Sequence, residues 1–481
     1  MRLTVQEIVA LVGGELLTLQ NSQNLVCTGL TWDSREVKSG DLFLALPGER
    51  VDGHDFVSAV LDSGAGAALV QKDCGEGVVS QANKAHAAII RVKDTRQALA
   101  DIAAGWRKRL GVKIIALTGS SGKTTTKTLM NHVLSAYGRT VSTLGNQNNE
   151  LGVPATLLRI QEDTEYAVVE MGMRGLHQLD ELCSFVQPDA ALVTNVGTSH
   201  MELLGSRENI ARAKAEPFAS LSEGGLAFIN ASDEYARELR AFGNTKRAGI
   251  EEVFFDGSGA SPDTFERDMR PIVYASDIEL DEMGCPHFVL NVPNQSQECT
   301  LSLGGLHSVH NAVAAAAVAW KYGMGLPEIV EALRTASAPS GRQRIISTAC
   351  GYRIVDDAYN ANPDSMRASL SMFGAMRVQG RRIAVLGDMG ELGSFSQEGH
   401  AFVGRCAAGA DLDMLYCIGE LSQGIAQAAI EAGMSKDRIV CGLDALEVLA
   451  CLKRDLKQGD VVLVKASHAM ALERIVEGLA D

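Results

Sequence analysis

The sequence lacks the cysteine spacings that mark a metal site or a disulfide framework. Its ten cysteines are scattered along the chain, and no Cys-x-x-Cys pair occurs among them. This pattern predicts neither a zinc site nor a set of disulfides. Free thiols in a reducing cytoplasm are the simplest interpretation.

Long apolar runs are also missing. The most apolar stretch, residues 312–320, is well below the roughly 20 residues that span a bilayer. Residues 1–7 contain no apolar signal core. We therefore expect a cytoplasmic protein without an integral membrane segment.

The chain has fewer basic than acidic residues. The formal net charge is -15 at pH 7, which argues against a general binder of nucleic acid or of anionic membranes. An anionic small ligand is still compatible with this charge, because a single cleft can be locally positive. With 481 residues, of which 46% are hydrophobic and 21% charged, the chain is expected to be globular and to have two to four domains.

What the sequence does contain is a candidate phosphate-binding loop. Residues 113–117 predict a buried strand, Gly119 and Gly122 permit a tight turn, and Lys123 opens a helix that runs to about residue 136. A helix N-terminus offers unpaired N–H groups and a positive dipole end to phosphate. We expect Lys123 to reach the β- and γ-phosphates of ATP and the Thr124 hydroxyl to bind Mg²⁺. The predicted nucleotide-binding residues are Thr118, Gly119, Ser120, Ser121, Gly122, Lys123, Thr124 and Thr125.

The alternative to a phosphate-binding loop is an ordinary glycine-rich turn. The order strand, Gly-x-x-Gly-Lys-Thr, helix disfavours that alternative. One departure from the general pattern is that Leu117 stands where most such loops have glycine. The sequence therefore predicts a variant P-loop that reads Thr-Gly-Ser-Ser-Gly-Lys-Thr-Thr from residue 118 to residue 125.

Three ionisable side chains follow along the chain. Glu170 ends an apolar strand. A carboxylate at the end of a strand beside a P-loop is placed to bind Mg²⁺, and we favour this interpretation over a solvated glutamate at a strand end. His200 follows a strand at 190–195 and could be a ligand or a general base, although a hydrogen-bonded structural histidine is more common. Residues 208–221 predict a helix with a kink at Pro217, and Lys214 lies on it. The residues around Lys214 alone indicate an ordinary solvated lysine.

The order of elements predicts an α/β protein with three domains. A small α/β domain covers residues 1–92, a central P-loop domain with a parallel sheet covers 93–336, and a Rossmann-like domain covers 337–481. Residues 336–341 are rich in small residues and proline and form the clearest linker. No Gly-x-Gly-x-x-Gly follows a strand of the last domain, so a dinucleotide cofactor is not expected. Strands are expected there at 352–356, 382–387, 414–419 and 461–465.

Several loops carry polar side chains with two open interpretations. Arg35, after Ser34, could grip a phosphate with its planar guanidinium, or it could form a surface Asp–Arg turn with Asp33. A second polar loop covers 48–55. The loop at 145–154 could bind a polar ligand or cap the next helix. Its amides of interest are Asn146, Asn148 and Asn149.

Two more local patterns give definite predictions. Asn362 is expected to be the N-cap of a helix whose first residue is Pro363. Residues 250–305 are expected to be β-rich, with strands at 288–292 and 299–303 as a candidate hairpin.

Taken together, these motifs resemble the Mur ligases of peptidoglycan synthesis, over the whole chain and in colinear order. The stretches at 356–362 and 387–393 are similar to those of the family member that adds D-alanyl-D-alanine. The residues that carry the resemblance are Asp33–Arg35, Leu42–Arg50, Asp52–Phe56, Thr118–Thr125, Gly145–Pro154, Glu170–Gly172, His200, Ala213–Glu216, His310–Asn311, Asp356–Asn362 and Gly387–Gly393.

The resemblance implies an ATP-dependent amide ligase. It would join D-alanyl-D-alanine to a UDP-N-acetylmuramoyl-tripeptide through an acyl phosphate, with ATP and Mg²⁺ as cofactors and with the chain acting as a monomer. By the same resemblance Ser34 and Arg35 would lie near UDP. Asn311, Arg342 and Asp357 would lie near adenine, phosphates and ribose, in that order.

The resemblance also gives Lys214 a new role. In similar ligases the equivalent lysine is carbamylated by CO₂ and holds a second Mg²⁺, which requires a neutral amine and hence a depressed pKa. The implied catalytic residues are Lys123, His200 and Lys214. The implied metal ligands are Thr124, Glu170, His200 and Lys214. The implied substrate contacts are Ser34, Arg35, Asn146, Asn148, Asn149, Asn360 and Asn362.

Two segments depart from the family pattern. Ala466 and His468 stand where relatives usually have glycine and arginine, and residues 173–178 lack the usual Gly-Glu pair. The alternatives within this class are the ligase that adds the third peptide residue and a folylpolyglutamate synthase. A silent nucleotide-binding partner and a P-loop kinase or transporter ATPase are the alternatives outside it.

Overall fold

The computed structural model describes residues 1–48 and 51–480. Glu49 and Arg50, which belong to the polar loop at 48–55 and to the family motif at 42–50, lie outside the described residues. Of the helices in these two ranges, none combines the length and the apolar character needed to cross a membrane.

The described part of the chain alternates helices with short strands. The helices are α1 (Val5–Val12), α2 (Val57–Asp62), α3 (Gly75–Lys84), α4 (Thr95–Arg107), α5 (Lys123–Ser135), α6 (Gly152–Leu158), α7 (Gln178–Val186), α8 (Met201–Leu204), α9 (Arg207–Lys214), α10 (Glu216–Ala219), α11 (Ala236–Phe242), α12 (Leu306–Lys321), α13 (Leu326–Thr335), α14 (Pro363–Ala375), α15 (Ser396–Ala408), α16 (Gln423–Glu431), α17 (Ala445–Asp455) and α18 (Glu473–Ala480).

The strands are mostly short and apolar. They are β1 (Leu3–Thr4), β2 (Glu15–Leu16), β3 (Val26–Cys27), β4 (Gly29–Thr31), β5 (Asp41–Leu44), β6 (Ala67–Val70), β7 (Ala88–Arg91), β8 (Lys113–Thr118), β9 (Thr140–Ser142), β10 (Tyr166–Glu170), β11 (Ala190–Val193), β12 (Leu226–Asn230), β13 (Glu251–Asp256), β14 (Val273–Leu280), β15 (Pro286–Val292), β16 (Gln295–Thr300), β17 (Arg344–Ser347), β18 (Arg353–Asp356), β19 (Arg382–Gly387), β20 (Met414–Ile418), β21 (Ile439–Cys441) and β22 (Val461–Lys465).

The chain divides into two compact units. The first comprises Met1–Ala116, Arg139–Gly172 and Asp180–Pro188, and the second comprises Leu117–Gly138, Met173–Leu179 and the residues from Asp189 onward. The α/β fold class predicted from the sequence is confirmed. The predicted domain borders at residues 92 and 336 stay predictions.

The first unit contains a five-stranded sheet in the order β2-β7-β6-β5-β4. Strands β4 to β7 run parallel, and only β2 pairs antiparallel. One face is covered by α2 and buries Phe43, Val57, Val60 and Ile89. In the same unit β9 and β10 pair in parallel.

In the second unit, strands β11 to β14 pair in parallel, and β14 to β16 form an antiparallel extension. The predicted hairpin forms, but the predicted bounds of its second strand are wrong. Strand β16 begins at Gln295, directly opposite Val292. The two residues between them allow a tight turn because Asn294 adopts a left-handed backbone with φ 63°.

The predicted helix at 208–221 is divided. Helix α9 ends at Lys214, and α10 begins at Glu216 with Pro217 in its first turn. Proline has no N–H for the preceding turn, so the break lies where the sequence predicted a kink.

The last part of the second unit is a six-stranded sheet in the order β17-β18-β22-β19-β20-β21. All pairs are parallel except the one between β17 and β18. Its strand β22 is buried at every residue, and β18, β19 and β20 are buried after their first residue, as expected for parallel strands between two helical layers. The Rossmann-like prediction is confirmed, as are its four predicted strands, whereas β17 and β21 were not predicted. Asn362 is the N-cap of α14, and Pro363 is its first residue, as expected.

Candidate functional site

The loop after β8 has the geometry of an anion-binding turn. Gly122 adopts φ 78°, and a Cβ added there would lie 2.5 Å from Oδ1 of Asn311. A Cβ at Gly119 would lie 1.8 Å from Oγ1 of Thr194. Only glycine fits these two positions, and the loop leads straight into the N-terminus of α5.

The residues that follow β11 brace this loop. The Ser121 N–H donates to Oδ1 of Asn195 at 3.0 Å, and the Thr194 hydroxyl donates to the Ser121 carbonyl at 2.7 Å. The Gly197 N–H donates to the Ser120 hydroxyl oxygen at 2.8 Å. These bonds hold the loop in one shape before any ligand arrives, which lowers the cost of ordering it on binding.

Two lysine side chains lie near this loop. The Lys123 ammonium donates to the Gly119 carbonyl at 2.7 Å. Lys214 is 1% exposed. Burial, and then the charge of Lys123, hold the pKa of Lys214 well below its usual range, although Asp233 acts in the opposite sense. A neutral amine is a nucleophile, which an ammonium ion is not.

His200 is neutral for the same reasons. Burial is the main cause that lowers the pKa of His200, and the charge of Lys123 acts in the same sense. Its backbone is left-handed, with φ 63°, and it precedes α8. A neutral imidazole keeps a lone pair that can accept a proton or bind a cation.

Glu391 also belongs to this group, although the sequence analysis did not select it. Its Oε2 lies 3.1 Å from Nδ1 of His200, and its Oε1 lies 3.7 Å from Nη2 of Arg174. Its own backbone is left-handed, with φ 60°. The one available signal was the polar, glycine-broken loop at 387–393, which indicated a ligand-binding edge but no particular residue.

Arg342 lies against the P-loop, and its implied contact with the phosphates stays a prediction. Its Nη2 donates to the Thr124 hydroxyl oxygen at 3.4 Å. The guanidinium also lies 4.2 Å from the ring centre of Tyr359, which stacks on His468 at 5.4 Å. The Gly341 N–H donates to the Asp356 carboxylate at 2.9 Å, so the end of the linker is fixed to the loop after β18.

Asp357 has internal partners. Its carboxylate pairs with the Lys465 ammonium at 2.8 Å and accepts the Ser369 hydroxyl, and all three side chains are buried. Burial lowers the pKa of Lys465, and Asp357 partly offsets the effect. The same ammonium donates to the Asn360 carbonyl at 3.0 Å. The predicted contacts of Asp357 with ribose and of Asn360 with substrate stay predictions.

Asn311 is 7% exposed, and its Oδ1 accepts the Thr126 hydroxyl at 3.1 Å. This bond attaches the start of α12 to α5, one turn past the P-loop. The residue therefore lies beside the loop, and its predicted contact with adenine is untested.

The start of α14 is bonded to the loop after β11. The Asn362 amide donates to the Ser199 hydroxyl oxygen at 2.8 Å, and the Ser199 hydroxyl donates to the Ser120 carbonyl at 3.1 Å. The Thr198 N–H and hydroxyl both donate to Asp364, at 3.2 and 3.1 Å. The Ser199 side chain therefore links Asn362 to the P-loop.

In the first unit, Arg35 forms the surface turn that was one of its two interpretations. Its guanidinium donates twice to Asp33, at 2.8 and 2.5 Å, while 87% of its side chain is exposed. These bonds lower the pKa of Asp33 to about 2. A phosphate contact by Ser34 or Arg35 stays a prediction.

Also in the first unit, Glu170 ends β10 and is 1% exposed. Its carboxylate accepts the Asn148 amide at 2.9 Å. The Asn149 side chain accepts the N–H of Gly152, the first residue of α6, at 3.0 Å, so it supports the start of the helix. Asn146 is exposed.

Comparison with known proteins identifies the family. Three family models match in succession: "Mur ligase family, catalytic domain" at residues 26–107, "Mur ligase middle domain" at 117–319 and "Mur ligase, glutamate ligase domain" at 341–468. A curated Bacillus subtilis protein, UDP-N-acetylmuramoyl-tripeptide--D-alanyl-D-alanine ligase, is 34% identical, with coverage of 99% of this chain and 98% of its own. The chain belongs to the Mur ligase family.

Solved structures agree with this assignment. The crystal structure of MurF from Acinetobacter baumannii has a TM-score of 0.85 and 33% identity, and the match covers 100% of this chain and 99% of that one. The MurF ligase from Thermotoga maritima, crystallised with ADP, has a TM-score of 0.79 and 27% identity over 94% of this chain and 97% of that one. The resemblance to Mur ligases that the motifs indicated is therefore confirmed along the chain.

Proposed function

We propose that this Mur ligase joins D-alanyl-D-alanine to a UDP-N-acetylmuramoyl-tripeptide, at the expense of ATP, and so makes the UDP-linked pentapeptide of peptidoglycan synthesis. The observation that carries the proposal is the colinear similarity, over 99% of the chain, to a ligase of that name. The P-loop braced by the residues after β11 supports it from the geometry.

The chemistry requires activation of a carboxylate. A carboxylate is a poor electrophile, so the γ-phosphoryl group of ATP is first moved onto it to give an acyl phosphate. The amine of the dipeptide then attacks the carbonyl carbon, and phosphate leaves from the tetrahedral intermediate. Positioning and charge neutralisation are the protein's main contributions to such a reaction, and Lys123 and Arg342 supply two cations beside the loop.

The donor groups fit Mg²⁺, a hard cation that prefers oxygen ligands. We assign the Thr124 hydroxyl and the Glu170 carboxylate to a first Mg²⁺, and the neutral ring of His200 and a carbamate on Lys214 to a second. When bound, the cations would neutralise charge that develops on the phosphoryl oxygens. A phosphate group of ATP suits this loop because Gly119 and Gly122 allow a tight turn that leads into the N-terminus of α5, where backbone N–H groups and the positive end of the helix dipole favour an anion.

A carbamate on Lys214 follows from its low basicity. The neutral amine attacks CO₂ and loses a proton, so a buried amine becomes an anion with two oxygen donors. The burial of Lys214 and the nearby charge of Lys123 both keep this amine neutral. An anion there would relieve the excess of positive charge around Lys123.

The remaining roles follow the family pattern. Ser34 and Arg35 contact the UDP group, and Asn311, Arg342 and Asp357 contact adenine, phosphates and ribose. The protein acts in the cytoplasm, where its nucleotide substrates are made, and as a monomer. The peptide and dipeptide are contacted by Asn146, Asn148, Asn149, Asn360 and Asn362.

Phosphate release by the purified protein tests this function. ATP and Mg²⁺ are supplied with the UDP-linked tripeptide in its lysine form or its diaminopimelate form, each with and without D-alanyl-D-alanine. We expect release only when tripeptide and dipeptide are both present, and the faster tripeptide is the preferred substrate. Release with a different amine acceptor, or none at all despite ATP binding, would contradict the proposal.

A variant pair links the reaction to the loop. Lys123→Ala should lower turnover by at least about 10²–10³-fold, the usual effect of removing one group that stabilises transition-state charge. Lys453→Ala, on the exposed side of α17, is the matched control and should keep full activity. Circular dichroism and the melting temperature check that both variants fold.

A further inference from the structure

Two cysteines far along the chain from the P-loop lie side by side on neighbouring strands. Cys417 on β20 and Cys441 on β21 are directly paired in a parallel register. Their side chains therefore leave the same face of the sheet. Adjacent strands lie about 4.8 Å apart, which is within the Cα separations of about 4.4–6.8 Å that a disulfide bridges.

The two thiols differ in their exposure to solvent. Cys417 is 2% exposed, whereas Cys441 is exposed on the last strand of the sheet. A small molecule in solution can therefore reach one sulfur directly and the other only through its neighbour.

The two thiols differ in pKa, in the direction that thiol–disulfide exchange requires. The neighbouring Cys417 thiol lowers the pKa of Cys441 to about 7. Cys441 in turn, together with burial, raises the pKa of Cys417. The exposed sulfur is thus partly thiolate at neutral pH, and the buried one is a protonated neighbour. By contrast, burial raises the pKa of Cys27, Cys285 and Cys299, which makes these thiols poor nucleophiles.

We propose that Cys417 and Cys441 form a reversible redox pair, which a small-molecule disulfide closes into an intramolecular disulfide. The Cys441 thiolate attacks the reagent, forms a mixed disulfide and releases one thiolate. That thiolate takes the proton of Cys417, whose sulfur then attacks the sulfur of Cys441 and releases the second reagent thiol. Two protein thiols are oxidised, and one disulfide is reduced to two thiols.

The bond would fasten the edge strand of the C-terminal sheet. Strand β21 is bonded to the sheet on one side only, through β20. Strand β20 leads into Ser422, whose N–H donates to the Asp388 carboxylate at 2.7 Å. Asp388 begins the loop that carries Glu391. The two cysteines therefore lie close to the hydrogen bond that holds the start of that loop.

Peptide mapping of the full chain tests the proposal. The reduced protein is incubated with glutathione disulfide, remaining thiols are alkylated with iodoacetamide, and the product is cut before aspartate. The two cysteines then fall in separate peptides, 413–436 and 437–443, each with one cysteine. We expect the two peptides joined by a bond that reduction removes. We also expect Cys441 in untreated protein to alkylate at least about fivefold faster than Cys350 at pH 7.

Three variants complete the experiment. Cys441→Ser, at an exposed position, should fold and should lose the joined peptides. Cys350→Ser, at an exposed turn before β18, is the matched control and should keep them. Cys417→Ala should leave Cys441 as a stable glutathione adduct. The proposal is overturned if, in the unmodified chain, peptide 437–443 carries only a glutathione adduct or if both cysteines remain alkylated thiols.

Discussion

The Glu391 carboxylate lies 3.1 Å from Nδ1 of His200. This contact joins the loop after β19 to the loop after β11, which also braces the P-loop. Nδ1 of His200 is buried and makes no hydrogen bond to any residue that the structure describes. A small rotation of the neutral ring would direct its N–H to the carboxylate and leave the lone pair of the other nitrogen available. Carboxylates in this position orient histidines that bind metals.

Glu391 is therefore expected to act as a positioning residue. Glu391→Ala should lower kcat by about 10–100-fold, the usual cost of losing such a partner, with little change in the affinity for ATP. Glu398→Ala, whose carboxylate pairs with Arg405 on the exposed side of α15, is the control and should change neither. Steady-state kinetics with ATP as the varied substrate separate the two effects, and an unchanged kcat for Glu391→Ala would contradict the role.

Replacement of Lys214 tests the carbamate. Lys214→Ala should be inactive and should regain part of its turnover when acetate or propionate is added, because a short acid can occupy the space of the carbamate. Lys214→Arg introduces a permanent cation that cannot be carbamylated and leaves no room for the acid, so it should stay inactive. Equal responses of the two variants to the acid would argue against a carbamate.

Gly122 gives a prediction about backbone strain. Gly122→Ala forces a left-handed backbone on a residue with a Cβ, which costs about 1–2 kcal/mol, and the Cβ would also press on Asn311. Urea unfolding should show this loss, and titration calorimetry should show weaker ATP binding. Gly77→Ala, in α3 with open space around it, should instead be neutral or stabilising by up to about 1 kcal/mol.

Asn362 is expected to stabilise α14 as its N-cap. Asn362→Ala removes the acceptor for the Ser365 N–H and should lower the free energy of unfolding by about 1 kcal/mol. Asn362→Asp keeps a cap acceptor and should retain most of the stability, while losing the amide that donates to Ser199. Similar unfolding midpoints for the Ala variant and the unmodified chain would contradict the capping role.

Local patterns could be predicted where the cause is local. The strand, turn and helix around Gly119 and Lys123 follow from apolar runs and glycine, and the start of α14 follows from Asn362 and Pro363. Strand β16 was placed too late because its exposed residues, from Gln295 on, offer no apolar signal. The turn at residues 293 and 294 fixes its register instead.

Properties that depend on burial or on distant partners could not be predicted. The low pKa of Lys214 comes from burial and from Lys123, neither of which its own helix reveals, so only the family resemblance implied it. Glu391 meets His200 only because two loops far apart in the chain end at the same place. Cys417 and Cys441 look unrelated in sequence, since strand pairing alone makes them neighbours.

The attachment of the linker decides where the chain can be divided. The Gly341 N–H is bonded to Asp356 and the Arg342 guanidinium stacks on Tyr359, so the end of the linker is fixed to the C-terminal sheet. A cut at 336–340 would leave the guanidinium on the C-terminal fragment and the P-loop on the other. Neither fragment would contain all the residues expected to contact the phosphates. Phosphate binding would then require the two fragments to associate.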